Sequence, residues 1–189
     1  MSSLFDVSPI LPDGFSYTPE FISTQEEREV LKIISGIELH TFRFQGFEAK
    51  RKVASFGYDW SFEKRLLSKG QPIPGEFDFL IEKVATYLGV KKEAIGELLI
   101  LEYPAGSVIN WHRDAPPFDQ IAGISLKSDC IFRLRPHDQS MRKRGSTISI
   151  PVKARSMYIM KGASRSEWQH STAPVKDVRF SITFRTLKT

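Results

Sequence analysis

The chain has 189 residues, of which 41% are hydrophobic and 26% are charged, and its formal net charge is +5. This length suits one hydrophobic core rather than two, no uncharged apolar run is long enough for a transmembrane helix, and a single cysteine, Cys130, excludes an intrachain disulfide and is typical of a cytoplasmic protein. We therefore expect one cytoplasmic, monomeric domain spanning residues 1–189, with no membrane partner and, because of its basic charge, an affinity for polyanions such as nucleic acid.

Residues 1–39 are predicted to form an arm followed by a helix. Three prolines before residue 20 exclude a continuous helix at the start of the chain. Thr24 and Glu27 have the spacing of a capping box with Thr24 as the N-cap, which predicts a helix that begins just after Thr24 and ends at about Ser35. The aromatic residues expected to anchor the arm are Phe5, Phe15, Tyr17 and Phe21, and the buried stripe of the helix is expected to be Val30, Leu31 and Ile34.

Residues 40–70 are predicted to form a substrate-recognition flap. Period-2 alternation around residues 41–44 indicates strands joined through Gly46, and basic side chains are interleaved with aromatic ones. Cations that bind phosphates together with rings that stack on bases are typical of a surface for single-stranded nucleic acid. The alternative is that the rings belong to the core and the cations to a solvated face. The candidate substrate-binding residues are Arg51, Lys52, Phe56, Tyr58 and Trp60.

Residues 78–189 contain a second helix and then many short strands. Helical spacing of Leu80, Val84, Tyr87 and Leu88, followed by Gly89, predicts a helix that ends at the glycine. The expected strands cover residues 97–103, 108–111, 121–126, 130–135, 147–152 and 156–160. Two helices followed by many short strands predict a mainly β fold, a double-stranded β-helix (jelly roll) backed by the N-terminal helices, with its core over residues 95–189.

The stretch 110–114 contains a histidine and an aspartate two positions apart, His112 and Asp114. In extended backbone these two side chains point to the same face. An imidazole nitrogen beside a carboxylate oxygen provides two of the three ligands in the 2-His-1-carboxylate triad that binds non-haem Fe(II). The chain has four histidines, so this spacing also arises by chance and needs support from the rest of the sequence.

The last predicted strand alternates polar and apolar residues, so its two faces differ. One face carries Arg179, Ser181, Thr183 and Arg185, and the other carries Val178, Phe180, Ile182 and Phe184. Arginine is a rigid, bidentate partner for carboxylates, which a dicarboxylic co-substrate near an iron ion would need. An edge strand with a solvated polar face is the alternative.

Four short segments occur in a specific order along the chain. They are residues 103–106 (YPAG), 112–114 (HRD), 165–170 (RSEWQH) and 179–185 (RFSITFR). In this order they resemble the AlkB family of Fe(II)/2-oxoglutarate-dependent dioxygenases, whose pattern covers roughly residues 40–187. The resemblance implies that His112, Asp114 and His170 hold Fe(II), and it assigns the remaining positions of the metal to 2-oxoglutarate and O2.

The same resemblance implies a binding site for 2-oxoglutarate on the last strand. In the family the first arginine meets the distal carboxylate and the second meets the metal-proximal one, so these roles fall to Arg179 and Arg185. Tyr103 is expected to add a hydroxyl donor, and Ser181 and Thr183 lie on the same face. The family commonly has an asparagine where this chain has Leu101, which is a departure from its pattern.

The activity that the resemblance implies is oxidative demethylation of N-alkylated bases, of the 1-methyladenine and 3-methylcytosine type, in single-stranded DNA or RNA. Its products are formaldehyde, succinate and CO2. Some family members carry acidic residues just after the aspartate ligand that contact the base, whereas this chain has Ala115, Pro116 and Pro117, which leaves the choice of base open. Two alternatives remain: a dioxygenase of the same fold that acts on a protein side chain or a small molecule, and a nucleic-acid-binding module with an idle iron site.

Overall fold

The structure is a computed structural model that describes residues 10–44 and 47–188. The predicted anchor Phe5 and the predicted turn at Gly46 lie outside these residues. The strands are β1 (Phe15–Thr18), β2 (His40–Phe44), β3 (Phe47–Ser61), β4 (Leu66–Lys69), β5 (Ile95–Tyr103), β6 (Ile109–His112), β7 (Phe118–Leu126), β8 (Cys130–Pro136), β9 (Ile148–Val152), β10 (Met157–Met160), β11 (Trp168–Thr172) and β12 (Arg179–Leu187). The helices are α1 (Thr24–Ser35), α2 (Asp78–Leu88) and α3 (Gly162–Ser166).

The strands form two antiparallel sheets. The main sheet has the order β1-β10-β7-β12-β5-β3-β2, with β4 paired to β3, and the second sheet has the order β6-β11-β8-β9. This arrangement confirms the predicted jelly roll. Among the helices of residues 10–44 and 47–188, none combines the length and the apolar character that crossing a bilayer requires.

The two faces of the main sheet bury two separate apolar clusters. One face packs against α1 and α2, and its cluster, called the helix-side cluster below, includes Val30, Leu80, Val84 and Ile182. The other face packs against the second sheet, and its cluster includes Cys130, which is buried as predicted. The space between the sheets is therefore closed by apolar side chains around any polar residues that point into it.

The first helix begins one residue earlier than the sequence predicts. Ser23, not Thr24, is the N-cap: its hydroxyl accepts the backbone N–H of Glu26 at 3.1 Å, and Glu26 Oε2 accepts the backbone N–H of Ser23 at 2.7 Å. Ser23 has the extended backbone that an N-cap requires, so this pair forms the capping box. The predicted end at Ser35 is correct.

The second helix confirms the predicted end at Gly89, which adopts a left-handed conformation with φ of 70°. Tyr87 was expected on its buried stripe, but its side chain is 49% exposed. Its hydroxyl lies 2.6 Å from the hydroxyl of Thr18, and its ring packs edge-on against Phe21. Tyr87 therefore fastens the N-terminal arm to the helix layer instead of filling the core.

The arm and the flap are both parts of the main sheet. Residues 15–18 of the arm form β1, which pairs with β10 at one edge. The flap forms β2 and β3, an antiparallel pair as predicted, and β3 also pairs with β5 from Lys52 to Gly57. The flap is thus anchored on a strand of the jelly roll through six of the 15 residues of β3.

Candidate active site

The two predicted histidine ligands lie on neighbouring strands of the second sheet. His112 ends β6 and His170 lies in β11, and the two residues are direct partners in the antiparallel pairing of these strands. Their ring centroids are 4.2 Å apart. Asp114 follows β6 by two residues, and its Oδ2 lies 3.4 Å from His170 Nε2. One potential ligand atom from each of the three residues lies within 4.8 Å of the other two, so the structure brings the predicted triad together.

Two details of this cluster fit a metal ion. Asp114 Oδ2 is buried and has no hydrogen-bond partner in the part of the chain that the structure describes, although an isolated buried carboxylate oxygen is costly. His112 Nδ1 lies 2.8 Å from the carbonyl oxygen of Asn110, so Nδ1–H donates and Nε2 is left free for a metal. Two imidazole nitrogens and one carboxylate oxygen are the donor set of non-haem Fe(II). The residues present therefore fit this ion.

The charge of Asp114 is balanced by Arg185, which also binds a second carboxylate. Arg185 Nη2 donates to Asp114 Oδ1 at 2.5 Å, and Nη1 donates to Glu97 Oε2 at 2.5 Å. Burial would raise the pKa of Asp114, but Arg185, His170, His112 and Arg165 together outweigh burial and hold that pKa well below its usual range. Burial also raises the pKa of Glu97, more than Arg185 lowers it. Asp114 is therefore ionised at neutral pH, as a metal ligand must be.

The protonation of His170 is also set by its surroundings. Burial, and then the charge of His112, lower the pKa of His170 to about 3. The imidazole is therefore neutral at physiological pH and presents a lone pair, which is the form that binds metals. His40 and His137 do not belong to the cluster that the described residues form.

Arg179 lies at a second polar position between the sheets. Its side chain is 2% exposed, its Nε donates to the hydroxyl of Ser125 at 2.9 Å, and its guanidinium carbon lies 4.9 Å from the ring centroid of Tyr103. Within the described residues no carboxylate forms an ion pair with Arg179. A buried guanidinium without an acidic partner is costly, so this position suits the carboxylate of a ligand.

The remaining predicted residues of the last strand lie between the two arginines. Ser181 and Thr183 are 2% and 4% exposed on the same face of β12 as Arg179 and Arg185. Arg185 Nε is buried and makes no hydrogen bond to any described residue. This face of β12 thus offers buried donors, two of which belong to arginines, along one wall of the space between the sheets.

Arg165 and Glu97 support the site, but the sequence assigned no role to either: Arg165 is only the first residue of the segment 165–170, and Glu97 only the start of a predicted strand. Arg165 Nη2 donates to the carbonyl oxygens of Asp114, Ala115 and Phe118 at 3.2, 2.6 and 3.1 Å, which fixes the loop that carries the aspartate. Glu97 lies opposite Arg185 in the pairing of β5 with β12. An acidic residue at the start of a strongly apolar strand was the available signal for Glu97.

The candidate substrate residues of β3 fall on two faces of the sheet. Arg51 lies on the face of the site: its guanidinium carbon lies 4.0 Å from the ring centroid of Phe42, and burial lowers its pKa, against a smaller opposing influence of the nearby Tyr103 phenol. Lys52 lines a groove beside α1 and lies 3.7 Å from a carboxylate oxygen of Glu102. Phe56 is 8% exposed within the helix-side cluster. The structure therefore places Lys52 and Phe56 away from the metal cluster.

Tyr58 and Trp60 lie on the part of β3 that extends beyond β5 and pairs with β4. This extension follows Gly57, whose φ of 88° marks an irregularity in the strand, and Gly57 lies opposite Glu97. Both rings are partly exposed, and the ring of Trp60 packs edge-on against that of Phe62. The extension thus begins one residue beyond Gly57, which lies opposite the residue that binds Arg185. The structure brings neither ring into contact with the triad.

Comparisons with known proteins agree with this geometry. The family model described as "2OG-Fe(II) oxygenase superfamily" matches residues 14–185. A mouse protein named tRNA (carboxymethyluridine(34)-5-O)-methyltransferase ALKBH8 is 28% identical over 88% of this chain, and a Xenopus tropicalis protein of the same name is 28% identical over 90%. The chain spans about a quarter of the length of these relatives, since it covers 25% and 27% of them.

Two further matches cover most of this chain and most of the matched protein. The uncharacterized protein L905 of Acanthamoeba polyphaga mimivirus is 25% identical over 92% of this chain and 84% of its own length. The solved structure of OsALKBH1 superposes with a TM-score of 0.72 over 94% of this chain and 99% of that one, at 14% sequence identity. The second match concerns the fold alone.

Proposed function

The chain belongs to the 2OG-Fe(II) oxygenase superfamily, as an AlkB-like member, and from that membership we propose that it oxidatively demethylates N-alkylated bases in single-stranded DNA or RNA. As a superfamily member it uses Fe(II), 2-oxoglutarate and O2. The proposed substrates are strands that carry 1-methyladenine or 3-methylcytosine. The observation that carries the proposal is the coincidence of a complete metal triad with a buried arginine that forms no ion pair with a carboxylate of the described residues.

In the proposed site the triad His112, Asp114 and His170 holds Fe(II). Arg179, with Ser125 and Tyr103 beside it, would bind the distal carboxylate of 2-oxoglutarate, and Arg185 would bind the other carboxylate. The bound iron supplies redox chemistry in which O2 gives one oxygen atom to 2-oxoglutarate, leaving succinate and CO2, and the other to the methyl group, which leaves as formaldehyde.

The protein's own groups position the reactants and exclude water. Arg185 and Arg165 fix the carboxylate and the loop of Asp114, and the hydrogen bond to Asn110 fixes the imidazole of His112. Apolar side chains of both sheets surround these polar groups. Such an arrangement keeps the ligand atoms in place before the reactants arrive, which lowers the cost of reorganisation during the reaction.

Several features support a nucleic-acid substrate. The net charge is +5, and the names of the ALKBH8 relatives concern a tRNA base. Arg51 lies on the site face of β3, and Tyr58 and Trp60 continue that strand with partly exposed rings. A base that reacts must leave the stack, and partly exposed aromatic rings such as these would stack on it with about 1–3 kcal/mol per base.

The test is formaldehyde release from oligonucleotides that carry 1-methyladenine or 3-methylcytosine. We expect formaldehyde and succinate in equal amounts from both methylated strands, none from the unmodified strand of the same sequence, and none with Asp114→Ala as the inactive control. If neither strand releases formaldehyde while a methylated peptide or small molecule does, the enzyme is a dioxygenase with a different substrate. If no substrate stimulates succinate formation although the strand binds, the chain is a binding module.

A further inference from the structure

The outer face of the second sheet carries cations that the active site does not use. In β8, Arg133 and Arg135 alternate with the buried Phe132 and Leu134, so both guanidinium groups point away from the space between the sheets. Both lie over the indole ring of Trp111, with 5.2 and 4.3 Å between the guanidinium carbon and the ring centroid. Contacts of this kind hold a guanidinium group against the sheet.

The turn after β8 adds three more cations beside these two. Arg142 Nη2 donates at 3.1 Å to Gln169 Oε1, the same oxygen that accepts from Arg135 Nε at 2.8 Å. Lys143 and Arg144 follow and are exposed. We call these five residues the arginine face: Arg133, Arg135, Arg142, Lys143 and Arg144.

Among residues 10–44 and 47–188, no carboxylate forms an ion pair with the arginine face, so most of its charge is directed toward solvent. One electrostatic partner is Asp138, whose pKa is lowered by hydrogen bonds from Ser140 and, to a smaller extent, by the charges of His137 and Arg142. The hydrogen bonds that the structure describes for its three arginines go to neutral oxygens of Ser171, Gln169 and the backbone. The pKa of Arg135 is lowered by burial and then by the positive charges of Arg142 and Arg133. Positive charges that lie close together and face solvent favour the binding of an anion.

The side chains of this face are already fixed in position. Arg133 Nε donates to the hydroxyl of Ser171 at 3.0 Å, and Arg135 Nε donates to Gln169. The Nη1 groups of Arg133 and Arg135 make no hydrogen bond to any residue that the structure describes. Because the rotamers are held by bonds on one edge of each guanidinium group, an anion that binds the other edge orders little further side chain.

We propose that the arginine face binds the phosphate backbone of a single-stranded nucleic acid. Residues two apart in a strand are separated by about 6.6 Å, comparable to the distance between successive phosphates of an extended single strand, and the planar fork of arginine matches phosphate oxygens. Trp111, which contacts both arginines, is followed in β6 by the proposed ligand His112. The arginine face of β8 thus contacts the strand β6, which also carries an active-site histidine. The choice of a nucleic acid rests on the proposed function.

The test measures binding of a fluorescent, unmodified 12-nucleotide single strand by anisotropy between 50 and 300 mM NaCl. The full chain is compared with Arg133→Gln/Arg135→Gln and with Arg28→Gln/Lys91→Gln, which removes the same charge from exposed positions of the helix layer. The logarithm of the binding constant is plotted against the logarithm of the salt concentration. Loss of two phosphate contacts should make the slope of this plot shallower by about 1.4, at roughly 0.7 per phosphate of a single strand, and should weaken binding on the order of tenfold at 100 mM salt. The control pair should keep the wild-type slope within about 0.3.

A second pair, Lys143→Gln/Arg144→Gln, changes only exposed side chains and decides the question if the first pair does not fold. A shallower slope in either pair supports the proposal. A wild-type slope in the pairs that fold, an equal loss in the control, or equally strong competition by poly-glutamate at matched charge would overturn it. Since no turnover is measured, this result stands whether or not methylated bases are substrates.

Discussion

The two faces of β12 differ in composition although they belong to one strand. The face toward the helices carries Ile182 and Phe184, both fully buried in the helix-side cluster. The opposite face carries Arg179 and Arg185, also buried but held by hydrogen bonds to Ser125, Glu97 and Asp114. The apolar face stabilises the folded state because its area is removed from water. The polar face destabilises it, because burying charge costs free energy.

This difference shows how the fold supports a polar site. A single buried arginine is costly without an acidic partner, and the apolar packing on the reverse side of the same strand offsets that cost. We therefore expect substitutions on the helix-side face to alter the free energy of unfolding and leave ligand binding unchanged. Substitutions on the site-side face, and in the triad beside it, should weaken ligand or metal binding and leave the free energy of unfolding nearly unchanged.

The largest effect is expected from the triad. His112→Ala should abolish formaldehyde and succinate production, because one of the three proposed metal ligands is lost, while unfolding in metal-free buffer changes by about 1 kcal/mol or less, since the side chain is not part of the apolar clusters. Metal at 100 times its dissociation constant stabilises a protein by about 2.7 kcal/mol. Thermal unfolding with and without anaerobic Fe(II) should show this gain in the wild type and none in the variant. A variant that keeps both turnover and the gain would remove His112 from the triad.

The next effect is expected at Arg179, the buried arginine of the site-side face. Arg179→Ala leaves a ligand carboxylate unpaired in a buried pocket, which costs about 3 kcal/mol and so raises the KM for 2-oxoglutarate roughly 100-fold. Arg179→Lys should restore part of the loss, because lysine keeps the charge but lacks the planar fork. The measurement is succinate formation against 2-oxoglutarate concentration. An unchanged KM in the alanine variant would mean that the co-substrate binds elsewhere.

The smallest effect is expected at Ile182, which lies between Ser181 and Thr183 but points to the helices. Ile182→Val removes one buried methylene and should lower the free energy of unfolding by about 0.5–1.5 kcal/mol. The KM for 2-oxoglutarate should stay within about twofold of the wild type, because a change of that size is below 0.5 kcal/mol. Urea unfolding and steady-state kinetics on one preparation check both values. A KM that rises along with the loss of stability would show that the two faces are coupled.

The fold could be predicted from the sequence because its signals are local. Strand alternation, the glycine at the end of α2 and the spacing of apolar residues in α1 each act over a few neighbouring residues, and all three were observed. The N-cap of α1 was misplaced by one residue because Ser23 and Thr24 both precede a glutamate at the required distance. Backbone conformation at Ser23, which the sequence does not reveal, decides between the two.

The candidate site was predicted only in part, because side-chain direction depends on strand register. Arg51 and Lys52 are adjacent in sequence, and a strand sends adjacent side chains to opposite faces, so only one of them could face the site. Glu97 and Arg165 were assigned no role because their partners are distant in the chain: Arg185 lies 88 residues from Glu97, and the carbonyl groups that Arg165 binds lie between 47 and 51 residues from it. Such contacts follow from the pairing of distant strands, which no local pattern encodes.

The double use of β12 has a consequence for how this chain can change in evolution. Because β12 is paired on both sides, to β5 and β7, the insertion or deletion of one residue within it would exchange its two faces, turning the arginines toward the helices and the isoleucine and phenylalanine into the pocket. Length variation should therefore be absent from this strand among functional descendants. The turn between β8 and β9 is exposed and is not part of either sheet. Insertions there cost little free energy. New substrate contacts can therefore be acquired in this turn without loss of the catalytic centre.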